Sequence, residues 1–563
     1  MAHGETPIPR GFLWEDFSLA CIPAAAAFAI SATLGALYAL TMFSPEFILG
    51  IGGFWDAPAG IMAGSIADME TTFSGYTYFV RDEWRLPLLY VPQLGTPEGS
   101  NAGMTDVVPW VALLGKEIFH VFGLYINPYG VWTALMFVGN GMAMTFLLRA
   151  VDQRSLLATI AGTGFGIMMP ALHYRFGHLA LSAHCLVVSS LAGYFYRSRG
   201  AVLKSELAEW SLYFLALLTN IYLAAMCAAI FAASTVRAAA SRELTVFSAA
   251  LRMAMLIAGS LVILLALGMI GGGVPFGAFG FGHFSMNLTS LVWPDHLGVL
   301  GQQEGYAFIG LGTLALLLAA LTKIDSNLSA TARRHWPLMA VLVLCAVFAM
   351  SNEIYFGPWK VLHIPLPDVL ISGVFGIFRS SGRFIWPVMY FLPFAAVATV
   401  LRNQTPRKAA AFIGLALALQ FLSVSPWHRA VAEAAAVQRP PQADKDLADL
   451  LAASERVEIY PSFQCAGRSS PLASLQRRVS LQMLTAPTLK PINSVYLARS
   501  QRDCEAEVPP RELVPGTLYF FFDDEAAESL NRYPAQVCKA GPEETICALP
   551  ASRPIARETV SFP

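Results

Sequence analysis

Charge is scarce in this sequence. Only 13% of its 563 residues are Asp, Glu, Lys or Arg, well short of the ~25% of a soluble globular domain. With 55% hydrophobic residues, that scarcity argues for a chain that crosses a membrane many times. An excess of either sign is missing too. The 37 basic and 38 acidic residues leave a net charge of −1, and without a basic footprint no nucleic-acid partner is expected. The sequence holds no GxxxxGK[ST] loop, no paired CxxC and no GxSxG elbow. ATP-driven and serine-hydrolase chemistry therefore have no support in it. No cleavable signal peptide is evident: the first apolar run, Phe17 to Phe43, is too long for a signal core and reads as a retained span.

Long apolar runs are what the chain has in abundance. Runs able to cross a bilayer fall at about 17–43, 126–148, 155–172, 178–196, 250–271, 305–322, 336–351, 385–401 and 409–425. The stretch 207–236 is broken by Thr219-Asn220 and reads as two short helices meeting at the outer face, near Asn220 and Tyr222. Irregular backbone at membrane depth survives only where protein or water covers it. The expected total is about eleven crossings. Positive charge fits that number. Arg149 and Arg154, then Arg197, Arg199 and Lys204, then Arg237, Arg242 and Arg252, then Lys323, Arg333 and Arg334, then Arg402, Arg407 and Lys408 all fall on one side. That side is read as the cytoplasm, with the N-terminus inside and the C-terminus outside.

The expected outer segments are 44–125, 173–177, 272–304, 352–384 and the tail from 426. In the first, Ala57 to Phe73 reads as an amphipathic surface helix opened by Asp56 and Pro58, and Val107 to Phe122 as a second one capped by Thr105 or Asp106. From about residue 440 the composition turns polar. Val457–Tyr460, Leu518–Phe522 and Thr545–Leu549 read as strands of a small α/β domain. Cys21, Cys185, Cys227 and Cys345 lie in apolar runs, whereas Cys465, Cys504, Cys538 and Cys547 lie in the tail. Four cysteines in a polar outer tail imply two disulfides. Cys538 and Cys547 flank a Gly541-Pro542 turn, which makes a hairpin disulfide plausible.

Chemistry-bearing residues gather in the outer segments. Asp68 and Glu70 can supply a base for an acceptor hydroxyl, or ligands for a cation on a phosphate leaving group. Arg175 and His178, with His173 and His184 nearby, sit where two spans meet and can grip a phosphate. Arg379 and Arg383 flank Ser380-Ser381-Gly382, small residues that let a phosphate approach two guanidinium forks. Glu304 opens a span at the outer interface and can orient a sugar hydroxyl. Trp55, Tyr76, Trp84 and Trp293 can stack on sugars but fit an interfacial belt better.

The motifs follow one order along the chain. Asp68 precedes Gly75-Tyr76, Phe79 and Trp84-Arg85-Leu86-Pro87; next come Thr105-Asp106-Val107-Val108-Pro109 and Arg175-Phe176-Gly177-His178-Leu179-Ala180-Leu181-Ser182-Ala183-His184. Gln303-Glu304-Gly305-Tyr306 and Phe378-Arg379-Ser380-Ser381-Gly382-Arg383-Phe384 complete it. Together they resemble the GT-C superfamily of polytopic membrane glycosyltransferases, and more closely a bacterial integral-membrane family of that type. The resemblance implies a mainly α, polytopic bundle over residues 1–430 with its catalytic loop at 44–125, in a bacterial inner membrane. Residues 440–563 would form the extracytoplasmic α/β domain. It implies a sugar taken from a polyprenyl-phosphate donor, with Asp68 as base and Arg175, His178, Arg379 and Arg383 on the lipid phosphate. Asp106, Asn220, Tyr222 and Glu304 join the expected substrate-binding set. The acceptor would be a glycan, lipid or protein. A divalent cation, Mg2+ or Mn2+, is left open, with Asp68 and Glu70 as its ligands. Two other classes stay in view. A lipid or glycolipid transporter should show internal repeats and paired broken helices, and the chain shows one break. A non-enzymatic envelope assembly factor would use the tail as its interaction module.

Overall fold

The computed structural model describes residues 21–56, 68–200, 202–271, 280–294, 299, 301–322, 328–436, 445–467, 470–499, 502–541 and 543–549. Their fold is mainly helical, with a small strand-containing domain at the C-terminal end. The bundle contains α1 (Ala24–Leu40), α4 (Tyr129–Ala150), α5 (Leu156–Tyr174), α6 (Cys185–Arg197), α7 (Val202–Leu217), α8 (Ile221–Ala240) and α9 (Val246–Leu267). It continues with α10 (Leu311–Leu321), α11 (Trp336–Met350), α12 (Trp386–Asn403) and α13 (Pro406–Ala436). Between α1 and α4 lie α2 (Asp68–Arg81) and α3 (Pro109–Phe122). Among the described residues six helices are long and apolar enough to cross a membrane: α4, α5, α8, α9, α12 with its preceding turn, and α13.

Local signals set the helix ends. Ser155 accepts from the Ala158 N–H, and Thr245 from that of Ser248, closing free donors at the starts of α5 and α9. The expected break near 220 is present: Asn220 is extended and its Oδ1 accepts from Tyr222 N at 2.9 Å, starting α8 afresh. Buried polar side chains tie helices across the bundle. Asn140 donates to Gly166 O and Tyr390 Oη, and Gln420 donates to Met168 O and Ile309 O. Such bonds hold spans together where apolar burial gives little preference for protein over lipid. At the end of α6 and the starts of α7 and α9, Arg197 and Arg252 form a buried network with Glu206 and Glu209. Basic residues expected in cytoplasmic loops are therefore partly paired inside the bundle.

The two expected surface helices come out differently. Residues 57–67 of the first lie outside the described residues. Its described part belongs to α2, which is buried from Met69 to Val80 apart from a half-exposed Phe73. The described helix packs between α3 and the C-terminal domain. The second helix starts at Pro109, so the cap position falls on Val108 and neither Thr105 nor Asp106 caps it. Asp106 is freed from that task and adopts a left-handed backbone, φ +65°.

The C-terminal domain builds one four-stranded sheet. Strand β1 (Arg456–Tyr460) pairs in parallel with β2 (Thr517–Phe522), which pairs antiparallel with β4 (Glu544–Ala548); β3 (Cys538–Ala540) closes the far edge. Cys538 faces Cys547 across β3 and β4 and is bonded to it, and Cys465 is bonded to Cys504. The domain docks on α2. Gln482 Nε2 donates to Ser74 Oγ (2.6 Å) and Thr71 Oγ1 (3.2 Å), and Tyr78 Oη to Lys490 O (2.7 Å). Isolated parallel bridges join Ile492 to Leu94 and to Val457.

Candidate functional site

The site forms where α2, the break between α7 and α8, the turn before α12 and the C-terminal domain meet. Glu304 is its hub. It lies in the turn 302–305, and its Oε2 accepts from Arg175 Nη1 (2.9 Å) and Arg383 Nη2 (2.7 Å). Arg175 also donates to the Glu304 backbone carbonyl. Burial would raise the Glu304 carboxyl, but the two guanidiniums and His178 outweigh it and hold the group well below the usual carboxylate range. Glu304 therefore neutralises cations here and is not a free sugar ligand. Arg175, only 1% exposed, is committed to Glu304.

Backbone contact brings these charges together. Gly382, in the turn leading into α12, lies against Gly305 so closely that a methyl group on it would sit 2.5 Å from Gly305 Cα. Glu304 and Arg383 flank that contact.

His178 stands between two carboxylates, with Nε2 3.5 Å from Asp68 Oδ2 and 3.8 Å from Glu304 Oε1. Neither is a well-formed hydrogen bond. Burial lowers the pKa of its ring against the pull of both acids, and Arg175 and Arg383 add to the lowering. That lowering disfavours the phosphate-gripping cation considered above. Asp68 begins α2 and is hydrogen-bonded to Tyr496 of the C-terminal domain. The Asp68 charge, with burial, holds the Tyr496 phenol well above its ordinary pKa, so the phenol remains a donor to the carboxylate.

Glu70 does not join the site. Two residues along a helix is a turn of about 200°, and Glu70 points away from Asp68 towards the C-terminal domain, where Ser480 Oγ lies 3.4 Å from its Oε2. The expected cation pair is thereby broken. Among the described residues no group of three His, Cys, Asp or Glu side chains is arranged to hold a metal ion. The donor set does not fit the divalent cation left open by the sequence. His173 and His184 also face elsewhere, bonded to Tyr38 and Tyr390.

A cavity of about 300 Å³ opens at Arg383, the partner of Glu304; Asp68 and Glu304 do not line it. Asp106, Asn220, Arg379, Arg383 and Arg499 line its polar side. Leu217, Ile221, Ala225 and Leu264, from α7 to α9, are part of its apolar side. Arg383 reaches it over the Tyr222 ring, 4.8 Å from the centroid, and Tyr222 Oη accepts from Ser380 N at 3.1 Å. Asp106 Oδ1 accepts from Asn220 Nδ2 at 3.4 Å, while Oδ2 is shut away from solvent with no partner among the described residues. Burial lifts its carboxyl to about 7 against the opposing Arg383, with Asp68 and Glu304 pushing the same way.

The site thus assembles Asp68, Asp106, His178, Asn220, Tyr222, Arg379 and Arg383, with Glu304 and Arg175 behind them. It also holds two residues that the sequence reading passed over, Tyr496 and Arg499. Nothing local marks them; only the docking of the domain on α2 brings them in. The arrangement offers a carboxylate at Asp68 and, at the cavity, arginines facing an apolar wall.

Residues 32–425 match the family described as a domain of unknown function (DUF6311), and residues 446–547 match the DUF6311 C-terminal domain. No curated protein matches the chain.

Proposed function

The chain belongs to the DUF6311 family, whose description assigns no activity, and from the site itself we propose a membrane glycosyltransferase that moves a sugar from a polyprenyl-phosphate donor to an extracytoplasmic acceptor. One observation carries the reading. A cavity whose polar side bears Asp106 and three arginines, and whose other side is apolar helix, lies against the Glu304–Arg383 pair, and the Asp68 charge acts on its Asp106 wall. That combination suits a sugar bonded to a lipid phosphate. The wider reading is a GT-C-like bundle of about eleven crossings in a bacterial inner membrane, with the site outside. Among the described residues six helices long and apolar enough to cross, three shorter apolar helices, and the break before Tyr222 support that reading.

In the proposed reaction the acceptor oxygen attacks the anomeric carbon from the face opposite the phosphate. The bond from that carbon to the phosphate oxygen breaks, its electron pair leaves with the polyprenyl phosphate, and the acceptor proton passes to Asp68. The configuration inverts. Tyr496 holds the Asp68 carboxylate by its hydrogen bond, with His178 beside it. Arg379 and Arg383 meet the charge that grows on the leaving phosphate, where fixed cations lower the barrier most. The acceptor is a glycan, lipid or protein.

The test is transfer by the purified chain from a panel of polyprenyl-phosphate sugars. Asp68→Asn is expected to lower the rate by about 100-fold or more, the range of a lost general base. Wild-type transfer by that variant would overturn the proposal.

A further inference from the structure

Three arginines line the cavity, but their charges are not equally available. Arg383 is paired with Glu304 at 2.7 Å. Arg379 meets the Phe284 ring at 5.9 Å and has no carboxylate partner among the described residues. Arg499 donates to the Ile377 carbonyl at 2.5 Å and likewise has no carboxylate partner among them. That carbonyl lies two residues before Arg379, so the bond draws Arg499 to the Arg379 turn. Burial, Arg379 included among its neighbours, depresses the Arg499 guanidinium. Two like charges held together, half-buried and without a counter-ion, are a costly arrangement unless an anion completes it. Arginine forks suit a phosphate, which they engage bidentately.

We propose that Arg379 and Arg499 form a phosphate-binding pair built from two domains, and that the C-terminal domain thereby supplies part of the binding site for a lipid phosphate. The choice of a lipid over free phosphate rests on the glycosyltransferase reading and on the apolar wall made by Leu217, Ile221 and Leu264. Arg499 comes from the segment 490–499, which Tyr78 and Gln482 bond to α2 and whose Tyr496 reaches Asp68. The same strap thus touches the carboxylate and the phosphate pocket. Placing Arg499 on the anion makes ligand binding and domain docking favour one another, since each stabilises the state the other needs.

The experiment is equilibrium binding of radiolabelled farnesyl phosphate to the full chain in lipid nanodiscs, with farnesol and inorganic phosphate as competitors. Arg379→Ala and Arg499→Ala are each expected to weaken binding by about tenfold or more, the effect of losing a charged hydrogen-bond donor. Arg499→Lys keeps the charge and the size of the strap but lacks the fork, and is expected to bind between wild type and Arg499→Ala. It reads out the pair even where the alanine variant folds poorly. Farnesol should not compete, and inorganic phosphate should compete only at far higher concentration than farnesyl phosphate. Binding as tight as wild type in both alanine variants would overturn the pair. Inorganic phosphate competing as well as farnesyl phosphate would overturn the lipid assignment. The outcome is separable from the transfer assay: binding that depends on both arginines, without transfer from any donor, would leave the pocket standing and sink only the transferase reading.

Discussion

At the scale of single residues, the site works by dividing its charges between support and chemistry. Glu304 pairs with Arg175 and Arg383; Arg383 still lines the cavity beside Arg379 and Arg499, which have no carboxylate partner among the described residues. Asp106 adds a pH dependence. Its carboxyl is lifted to about 7, by burial foremost, with Arg383 opposing and Asp68 and Glu304 assisting. Below that value it is neutral and does not repel a phosphate; above it the ionised group opposes anion binding. Farnesyl phosphate affinity measured from pH 6 to 8 should therefore fall more steeply with rising pH in the wild type than in Asp106→Asn. Comparing the two proteins cancels the ionisation of the phosphate itself. Equal slopes would remove Asp106 from the pocket. Most of these residues were legible in the sequence because a charge at the outer edge of an apolar run is conspicuous and costly. Glu70 was misjudged because neighbours in sequence on a helix face opposite sides. Tyr496 and Arg499 left no trace, since their meaning lies in contacts with residues hundreds of positions away.

At the scale of elements, the site depends on close backbone approach. The turn holding Gly382 passes against Gly305, and Gly305 itself faces the Ser285 backbone carbonyl at a distance with no room for a side chain. A methyl group at Gly382 would also meet backbone atoms of Ser285 and Met286, which cannot swing aside as a side chain can. Gly382→Ala should push the turn off its neighbour and loosen the Glu304–Arg383 pair. A lower thermal midpoint of several degrees, together with weaker farnesyl phosphate binding, is the expected result; unchanged melting and binding would show that the contact is not needed. The apolar runs foretold the bundle helices well, because period and length speak for themselves. The helix starting at Asp68 was harder to read. Its apolar face is equally suited to lipid and to a protein partner, and only the presence of the C-terminal domain decides between them.

At the scale of the whole molecule, two domains share one site. The Cys465–Cys504 bond spans the segment that contains α-helix Leu472–Thr485, Gln482, Tyr496 and Arg499. Opening it by Cys465→Ser with Cys504→Ser should loosen the strap. The expected consequence is weaker farnesyl phosphate binding and faster proteolysis between 467 and 504, with the bundle still folded; unaltered binding would show that the bond serves the domain alone. The sequence shows apolar runs giving way to a polar, cysteine-bearing tail. It treated that tail as separate from the chemistry because no local motif ties Tyr496 to Asp68.

The most direct measurement is a cryo-EM structure of the full chain in lipid with a polyprenyl phosphate added. The account predicts phosphate density between Arg379 and Arg499, beside Arg383, with the chain running along Leu217 and Leu264 and with Asp68 within reach of the phosphate. Lipid phosphate bound elsewhere, with that cavity empty and Asp68 turned to bulk water, would contradict it.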